Sequence, residues 1–397
     1  MKRPTATWTK WHLSRAKNEA KRRSTRWHHG VSTRRSGGHF VTTWTSGEII
    51  KMWSTREPHL PPSVLCFSKN PIETLDFFAT MRRRSHILKG MFPGKNPWYQ
   101  VPKSVKAPPR MRSYQSFAEI EYLSTASAVV MTAEYARLAE ISKFPPITID
   151  LHKWSDVVFA KLYELDFFSV VGITETVADL YAERDGKRTM RILSGTNNAE
   201  LAEATRRIQH LAVEASGGAD LLGGRVELIS TALSEAISNV ARHAYPADHD
   251  FQFPHVGRWW LTAEFDRSNG MLTIVIYDQG ATIPVTLPYQ DIWSKVKLKV
   301  AQLASSDPKF DFANDGAYIE GSLKAGVTST GDSHRGKGLA EMVGLIDELK
   351  AGYVSIFSRG GYYRHDYTSG KNSGAYPSSI GGTLIEWGIQ VHGANHG

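Results

Sequence analysis

The chain has 397 residues, 41% of them hydrophobic, which is enough for two or three domains with real cores and excludes wholesale disorder. A single cysteine, Cys66, excludes an internal disulfide, and no Cys/His cluster has zinc spacing. Residues 1–113 hold 23 Lys+Arg against 5 Asp+Glu and residues 114–397 hold 25 against 34, so net +18 and net −9 make up the overall +9.

No run approaches the roughly 18 consecutive apolar residues of a membrane-spanning helix. The opening MKRPTATWTKWHLSRAKNEAKRR also lacks the apolar stretch of a secretory signal, so a soluble, cytoplasmic protein is expected. The basic clusters Lys21-Arg22-Arg23, Arg34-Arg35 and Arg82-Arg83-Arg84 alternate with Trp8, Trp11, Trp27, Trp44 and Trp53. Such a region suits nucleic acid or an acidic protein partner; a solvated tail has the same composition, and no DNA-reading motif is present. Proline and glycine crowd residues 93–109, which read as a linker ending a basic N-terminal region at 113.

From 114 to 195 strand and helix patterns alternate. Helical spacing covers Ala126–Ile141 and Val157–Phe168, and short β-rich runs cover Ile147–Leu151 and Ser169–Ile173. A small α/β domain is expected. From 196 onward, helices are expected over Glu200–Ala215 and Val226–Ala244, the second closed by Pro246 after a break at Gly217, Gly218, Gly223 and Gly224. Strands Trp259–Phe265 and Leu272–Tyr277 flank a Ser268-Asn269-Gly270 turn. Residues 281–333 read as irregular apart from a helix at Ile292–Leu303. A helix Gly338–Leu349 and strands Tyr353–Ser358 and Thr383–Gln390 complete the pattern. Trp259, Trp260, Trp293 and Trp387 read as packing residues.

Three pieces carry chemistry. On the helix ELISTALSEAISNVARHAY, at 100° per residue with Glu235 at 0°, Asn239 falls near about 40° and His243 near about 80°; Ile229, Leu233, Ile237, Val240 and Ala244 gather between about 120° and 200°. Taken singly, that is an ordinary amphipathic surface helix. Next, the apolar strand Leu272–Tyr277 runs into Asp278-Gln279-Gly280, putting a carboxylate at a strand end beside a residue without a Cβ, although Asp-x-Gly is also a common turn. Last, His334-Arg335-Gly336-Lys337-Gly338-Leu339 opens a helix, where free backbone N–H groups and the helix dipole favour phosphate; a flexible cap looks the same in isolation.

Taken in order, Glu235 and Asn239 on a helix, Asp278-x-Gly280, Gly336-x-Gly338 and Gly382-Thr383 at a strand start resemble the N, G1, G2 and Gly-Thr motifs of the GHKL ATP-binding superfamily, which includes histidine kinases, Hsp90, gyrase B and MutL. SEAISNVARHAY is most similar to the helix of anti-sigma serine kinases. The resemblance spans residues 200–392 and implies a two-layer α/β sandwich of the Bergerat type over 196–397, with a long lid at 281–333. It implies that Asp278 accepts the adenine amino group, that Gly280 lets the purine lie against backbone, and that Thr383 supports the contact through water. Asn239 would hold Mg²⁺, Glu235 would orient or deprotonate the attacking water or hydroxyl, and Arg335, Gly336, Lys337 and Gly338 would meet the phosphates. Thr282 stands where the fuller G1 motif has a third glycine, which puts borrowed lid mechanics in doubt. The strand ending Ile149-Asp150-Leu151 followed by a helix resembles the STAS-like fold of anti-anti-sigma proteins; it implies that fold for 114–195 and no site, since Ser155 lacks the family's motif.

His210, in RRIQHLAVEAS, lacks the acidic or proline neighbour of a phosphoacceptor helix and reads as a surface histidine. Three functions follow: a Mg²⁺-dependent slow ATPase or ATP-driven switch, an anti-sigma-like serine/threonine kinase, and a nucleic-acid-binding module gated by ATP. Oligomeric state is left open, a homodimer included.

Overall fold

The computed structural model describes residues 38–391 except 46–47, 104–105, 174–176, 185, 216–219, 221, 223, 288–311 and 329–337. Residues 1–37 of the basic region, the helix expected at Ile292–Leu303, Trp293, and the candidate residues Arg335, Gly336 and Lys337 lie outside the described residues.

The described chain opens with a hairpin of β1 (His39–Thr45) and β2 (Glu48–Ser54), then β3 (Val64–Leu65) and helix α1 (Pro71–Met91). Proline suits the first helical turn, where its missing N–H has no partner to lose. Strands β4 (Tyr99–Gln100) and β5 (Arg110–Met111) join the hairpin in the order β1-β2-β5-β4. The stretch expected as a linker is therefore tied down. Trp98 is buried within it; its ring N–H donates to Phe144 O at 3.3 Å, and its carbonyl accepts from Arg112 N at 2.7 Å.

The next elements are β6 (Tyr122–Leu123), α2 (Thr125–Ser142), α3 (Asp156–Glu164) and α4 (Phe167–Val170). Ser124 Oγ caps α2 by accepting from Ser127 N at 3.1 Å, and every residue from Thr125 to Tyr135 is buried, as a helix without a polar face requires. Two expected strands are absent. Ile147–Leu151 makes only the isolated bridges Thr43↔Ile149 and Gln115↔Thr148, because Asp150 turns left-handed (φ 49°) and starts a single tight turn at Leu151–Lys153. Ser169–Ile173 lies partly in α4 and partly in the turn after it, where Phe167, Phe168, Val171 and Ile173 are buried in the core; packing overrides the local β preference. The strand and helix alternation that suggested a STAS-like unit is thus not what these residues adopt. Ser155 is the N-cap of α3, accepting from Val158 N.

The main sheet comes from the rest of the chain: β7 (Lys187–Thr189), β8 (Leu193–Gly195), β9 (Trp259–Asp266), β10 (Met271–Asp278), β11 (Tyr353–Ser358), β12 (Gly361–Asp366), β13 (Gly370–Ala375) and β14 (Thr383–Gln390). Its order is β13-β12-β11-β14-β10-β9-β7, with β8 also on β9, and the pairings are antiparallel. The helices of this part are α5 (Leu201–Ala215), α6 (Arg225–Asn239), α7 (Ile283–Thr286), α8 (Asp315–Thr328) and α9 (Gly338–Leu349). Only α8 was unforeseen among them besides the short α7: a regular helix occupies part of the span expected to be irregular.

Alternation along β10 shows how the layers form. Leu272, Ile274 and Ile276 point into one core with residues of α5, α6, α8 and α9; Val275 and Tyr277 point into another with residues of α1, α2, α3 and α4. The sheet of this mixed α/β protein is therefore covered on both faces, by α5, α6, α8 and α9 on one and, on the other, by α1–α4, which precede residues 196–397. The tryptophans Trp259, Trp260 and Trp387 are all buried in these cores. Charge joins the back layer to the sheet: Glu264 of β9 meets Lys161 Nζ of α3 at 3.0 Å and Arg184 at 2.8 Å, and these cations hold its carboxyl down at about 2 despite burial.

Candidate functional site

Helix α6 does not stop at Asn239. It continues as one π turn, Val240–Ala244, which brings the Ala244 carbonyl toward the end of β10, where it accepts from Ala281 N at 2.6 Å. π turns inside α-helices frequently mark functional sites. The turn ends at Tyr245, whose hydroxyl accepts from Gln279 N at 3.0 Å and donates to Arg258 O at 2.6 Å. Helix and strand end are thereby fastened together around Asp278.

Asp278 is 5% exposed. It sits opposite Thr383 in the β10–β14 ladder, and its carboxylate accepts from Gly280 N at 2.8 Å and from the Thr383 backbone amide. These bonds favour the ionised form, but burial outweighs them and pushes Asp278 up to about 7. Ser358 Oγ lies 2.9 Å from Thr383 Oγ1 and accepts from Ile283 N at 2.8 Å, so strands β11 and β14 and the start of α7 share one polar knot.

A cavity of about 80 Å³ opens above Asp278. Asn239 and His243 of α6 and its π turn, Asp278, Thr286 and Thr383 supply its polar lining; Ala236, Ile276, Leu339, Met342 and Ile385 are among its apolar walls. The slot is apolar with a carboxyl at one end, which is what a flat heteroaromatic ring with one hydrogen-bonding edge requires. At its other side α9 begins. A Cβ on Gly338 would come within 2.4 Å of Glu235 Oε2 and 3.5 Å of Asn239 Nδ2, so the missing side chain lets the Glu235 carboxylate pack against the start of α9 beside Asn239. Asn239 Nδ2 is buried without a partner among the described residues. Burial and the neighbouring Glu341 raise Glu235 above the usual carboxylate range, with Arg242 opposing; burial and Arg242 lower His243.

Of the candidate residues, Glu235, Asn239 and Gly338 therefore meet at one place, and Asn239, Asp278 and Thr383 line one cavity. Gly280 departs from its expected use. A Cβ there would lie 2.3 Å from Ala244 O and 2.5 Å from Ala244 Cβ, so its freedom admits the π turn rather than a ring. Gly280→Ala is expected to destabilise the fold by about 1–3 kcal/mol, because backbone cannot retreat as a side chain can. Urea denaturation checks this; an unchanged midpoint would mean that the π turn yields. Thr282 needs no glycine, since its φ of −85° is open to any residue, and its carbonyl starts α7 by accepting from Val285 N and Thr286 N at 2.9 Å.

The sequence reading missed Ser358, Tyr245 and the π turn. Tyr245 and the π turn lie within the recognised helix string, but what they fasten lies tens of residues away, and only the fold reveals it. His210 is exposed, with Nδ1 3.2 Å from Glu214, as a surface histidine would be. Arg82, in contrast, does not belong to a basic surface: it is 3% exposed, and its Nε donates to Glu134 Oε1 at 2.8 Å. No protein-family model matches the chain, and no curated protein sequence matches it.

Proposed function

We propose that the chain is a Mg²⁺-dependent ATP-binding protein of the GHKL type that hydrolyses ATP slowly and uses binding as a conformational switch. The observation that carries this reading is the buried carboxyl of Asp278 closing an apolar slot that Asn239 and Leu339 also line, with Glu235 beside Asn239 against Gly338 at the start of α9. The adenine amino group would donate to Asp278, with Thr383 and Gly280 fixing the carboxylate through their backbone N–H groups. A purine with an acceptor in that position would meet a carboxylate and is rejected.

The residues present fit a magnesium ion. Asn239 would hold it through Oδ1, since an amide oxygen suits a hard cation that keeps several waters and phosphate oxygens, while its buried Nδ2, unpartnered among the described residues, is a donor that a phosphate oxygen would satisfy. When bound, Mg²⁺ supplies charge neutralisation at the phosphates. Glu235, which burial and Glu341 raise above the usual carboxylate range, is suited to orient and deprotonate the attacking water. Coupling to the back layer has a physical route: Gln279, next to Asp278, donates from Nε2 to Glu134 Oε1 of α2 at 3.1 Å. A nucleotide that biases the Asp278–Thr282 segment therefore biases α2 as well.

The fate of labelled γ-phosphate separates hydrolysis from kinase action. Release as free phosphate is expected; label retained on the chain, or on an added protein acceptor, would make it a protein kinase instead.

A further inference from the structure

On the opposite side of the Gln279–Thr282 segment lies a second and larger cavity, of about 380 Å³, between α1, α2 and the loops at 249–254 and 377–381. Its floor is charged. Glu134 accepts from Arg82 Nε at 2.8 Å, from Arg137 Nη2 at 2.7 Å and Nε at 3.2 Å, and from Gln279 Nε2 at 3.1 Å. Arg82 also donates to the carbonyls of Ser379 and Ile380, and Arg137 to that of Pro254. Each guanidinium thereby spends three of its five N–H groups. Two arginines, 3% and 4% exposed, share one buried carboxylate, which leaves an excess positive charge at the floor. Among the described residues of the lining, Arg82, Arg83, Arg137 and Arg359 face Asp76, Glu134 and the partner of Arg359, Asp315, so the excess of one persists there. A buried cation without its counter-charge is costly.

Two further atoms point to a ligand. Gln279 Oε1 and Thr282 Oγ1 are buried without partners among the described residues, and both residues line this cavity while being 6% and 7% exposed. Their need is for a hydrogen-bond donor, in the case of Gln279 obligatorily. Phe251 and Phe253 of the 249–254 loop, with Phe312 across the opening, give aromatic walls. At the base, Gly381 makes room for the charge: with φ +77° and no Cβ, it admits the Arg82 guanidinium, whose Cζ would lie 2.3 Å from an added Cβ.

We propose that this cavity is a second ligand site, built for a small organic anion, a carboxylate or phosphate monoester on a planar ring that also carries a hydrogen-bond donor. The anion meets the spare N–H groups of Arg82 and Arg137, the donor meets Gln279 Oε1 and Thr282 Oγ1, and the ring lies between the phenylalanines. None of Glu235, Asn239, Asp278 or Thr383 takes part, so the inference stands whether or not ATP is the ligand of the first cavity. Ala281 lines both cavities.

The test uses the full chain without nucleotide and measures binding by ligand-observed NMR and calorimetry. The probes are 4-hydroxybenzoate, 4-hydroxyphenyl phosphate, the neutral 4-hydroxybenzamide, and inorganic phosphate alone. One of the two aromatic anions is expected to bind at least about tenfold more tightly than the neutral amide, equivalent to about 1.4 kcal/mol. The same preference over inorganic phosphate shows that the ring contributes. Gln279→Met is expected to weaken that anion about tenfold, and Thr282→Val is the second variant should Gln279→Met fold poorly. Phe253→Ala should weaken it too, whereas Leu339→Ala, which changes only the other cavity, should not. The proposal is overturned if neither aromatic anion binds below about 10 mM, if the neutral amide binds as well, or if Leu339→Ala and not Phe253→Ala lowers affinity.

Discussion

Asp278→Asn is expected to lower ATP affinity by about 100-fold or more while making the ligand-free protein more stable at alkaline pH. Both effects have one origin, a carboxyl kept out of water. In the complex the carboxylate would accept from the adenine amino group; the amide that replaces it can turn its own NH₂ toward that donor, or leave it unpaired, and either costs the full value of a buried charged hydrogen bond. In the free protein the same carboxylate is a burden. Its folded-state value of about 7 lies above the ordinary 3.8. With respect to this group, stability is therefore complete below pH 4 and is lost as pH rises through 7. At pH 8 the ionised carboxyl costs the fold on the order of 4 kcal/mol, most of which an asparagine of the same shape avoids. Denaturant titrations should thus favour the variant at pH 8 and give nearly equal stabilities at pH 4. The sign for ligand is opposite, because the adenine donor selects the ionised form: ATP affinity should weaken by about tenfold per unit as pH falls well below 7. A variant that bound ATP like the parent, or whose extra stability did not depend on pH, would remove Asp278 from the site.

Glu235→Gln is expected to cut ATP turnover by about 10²–10⁴-fold and to leave ATP affinity within a few fold. Glutamine keeps the volume that Gly338 accommodates, where an added Cβ would already crowd Glu235 Oε2 at 2.4 Å, so α9 need not shift. What it removes is the ability to accept a proton from water. Burial and Glu341 raise this carboxyl, so turnover should decline on the acid side at a pH above that of an ordinary glutamate. Single-turnover measurements across pH with protein in excess over ATP, beside calorimetric titration of affinity, check both points. Equal loss of affinity and turnover would make Glu235 a structural residue beneath α9 rather than a base.

The legible parts of the sequence were those with strong local patterns. The strand run Thr383–Gln390, the Asn-Gly turn before β10 and the glycine start of α9 gave element bounds close to those observed, and the spacing of Glu235 and Asn239 put both on one helical face. Strands β12 and β13 were missed. GKNSGA has almost no β-forming residue and holds its place through pairing with β12, which is information carried by another segment. The π turn was missed because apolar residues at the helical spacing run on through Ala244. In α1 the triplet Arg82-Arg83-Arg84 looked like one electrostatic patch, yet Arg82 turns inward to Glu134 of α2, a partner 52 residues away. Likewise, nothing local announces that α2, α3 and α4 cover the back of the sheet while Lys187–Thr189 and Leu193–Gly195 join it. At the site, individual residue identities were readable; the polar knot of Ser358, Thr383 and Ile283, and the loss of Gly280's space to Ala244, needed three segments in register.

Calorimetric titration of the full chain at pH 8 with ATP and with GTP, each with and without Mg²⁺, tests the purine assignment most directly. ATP should bind saturably and at least about 100-fold more tightly than GTP, and Mg²⁺ should strengthen it. Absence of saturable ATP binding, or equal affinity for the two purines, would contradict a ring seated against Asp278.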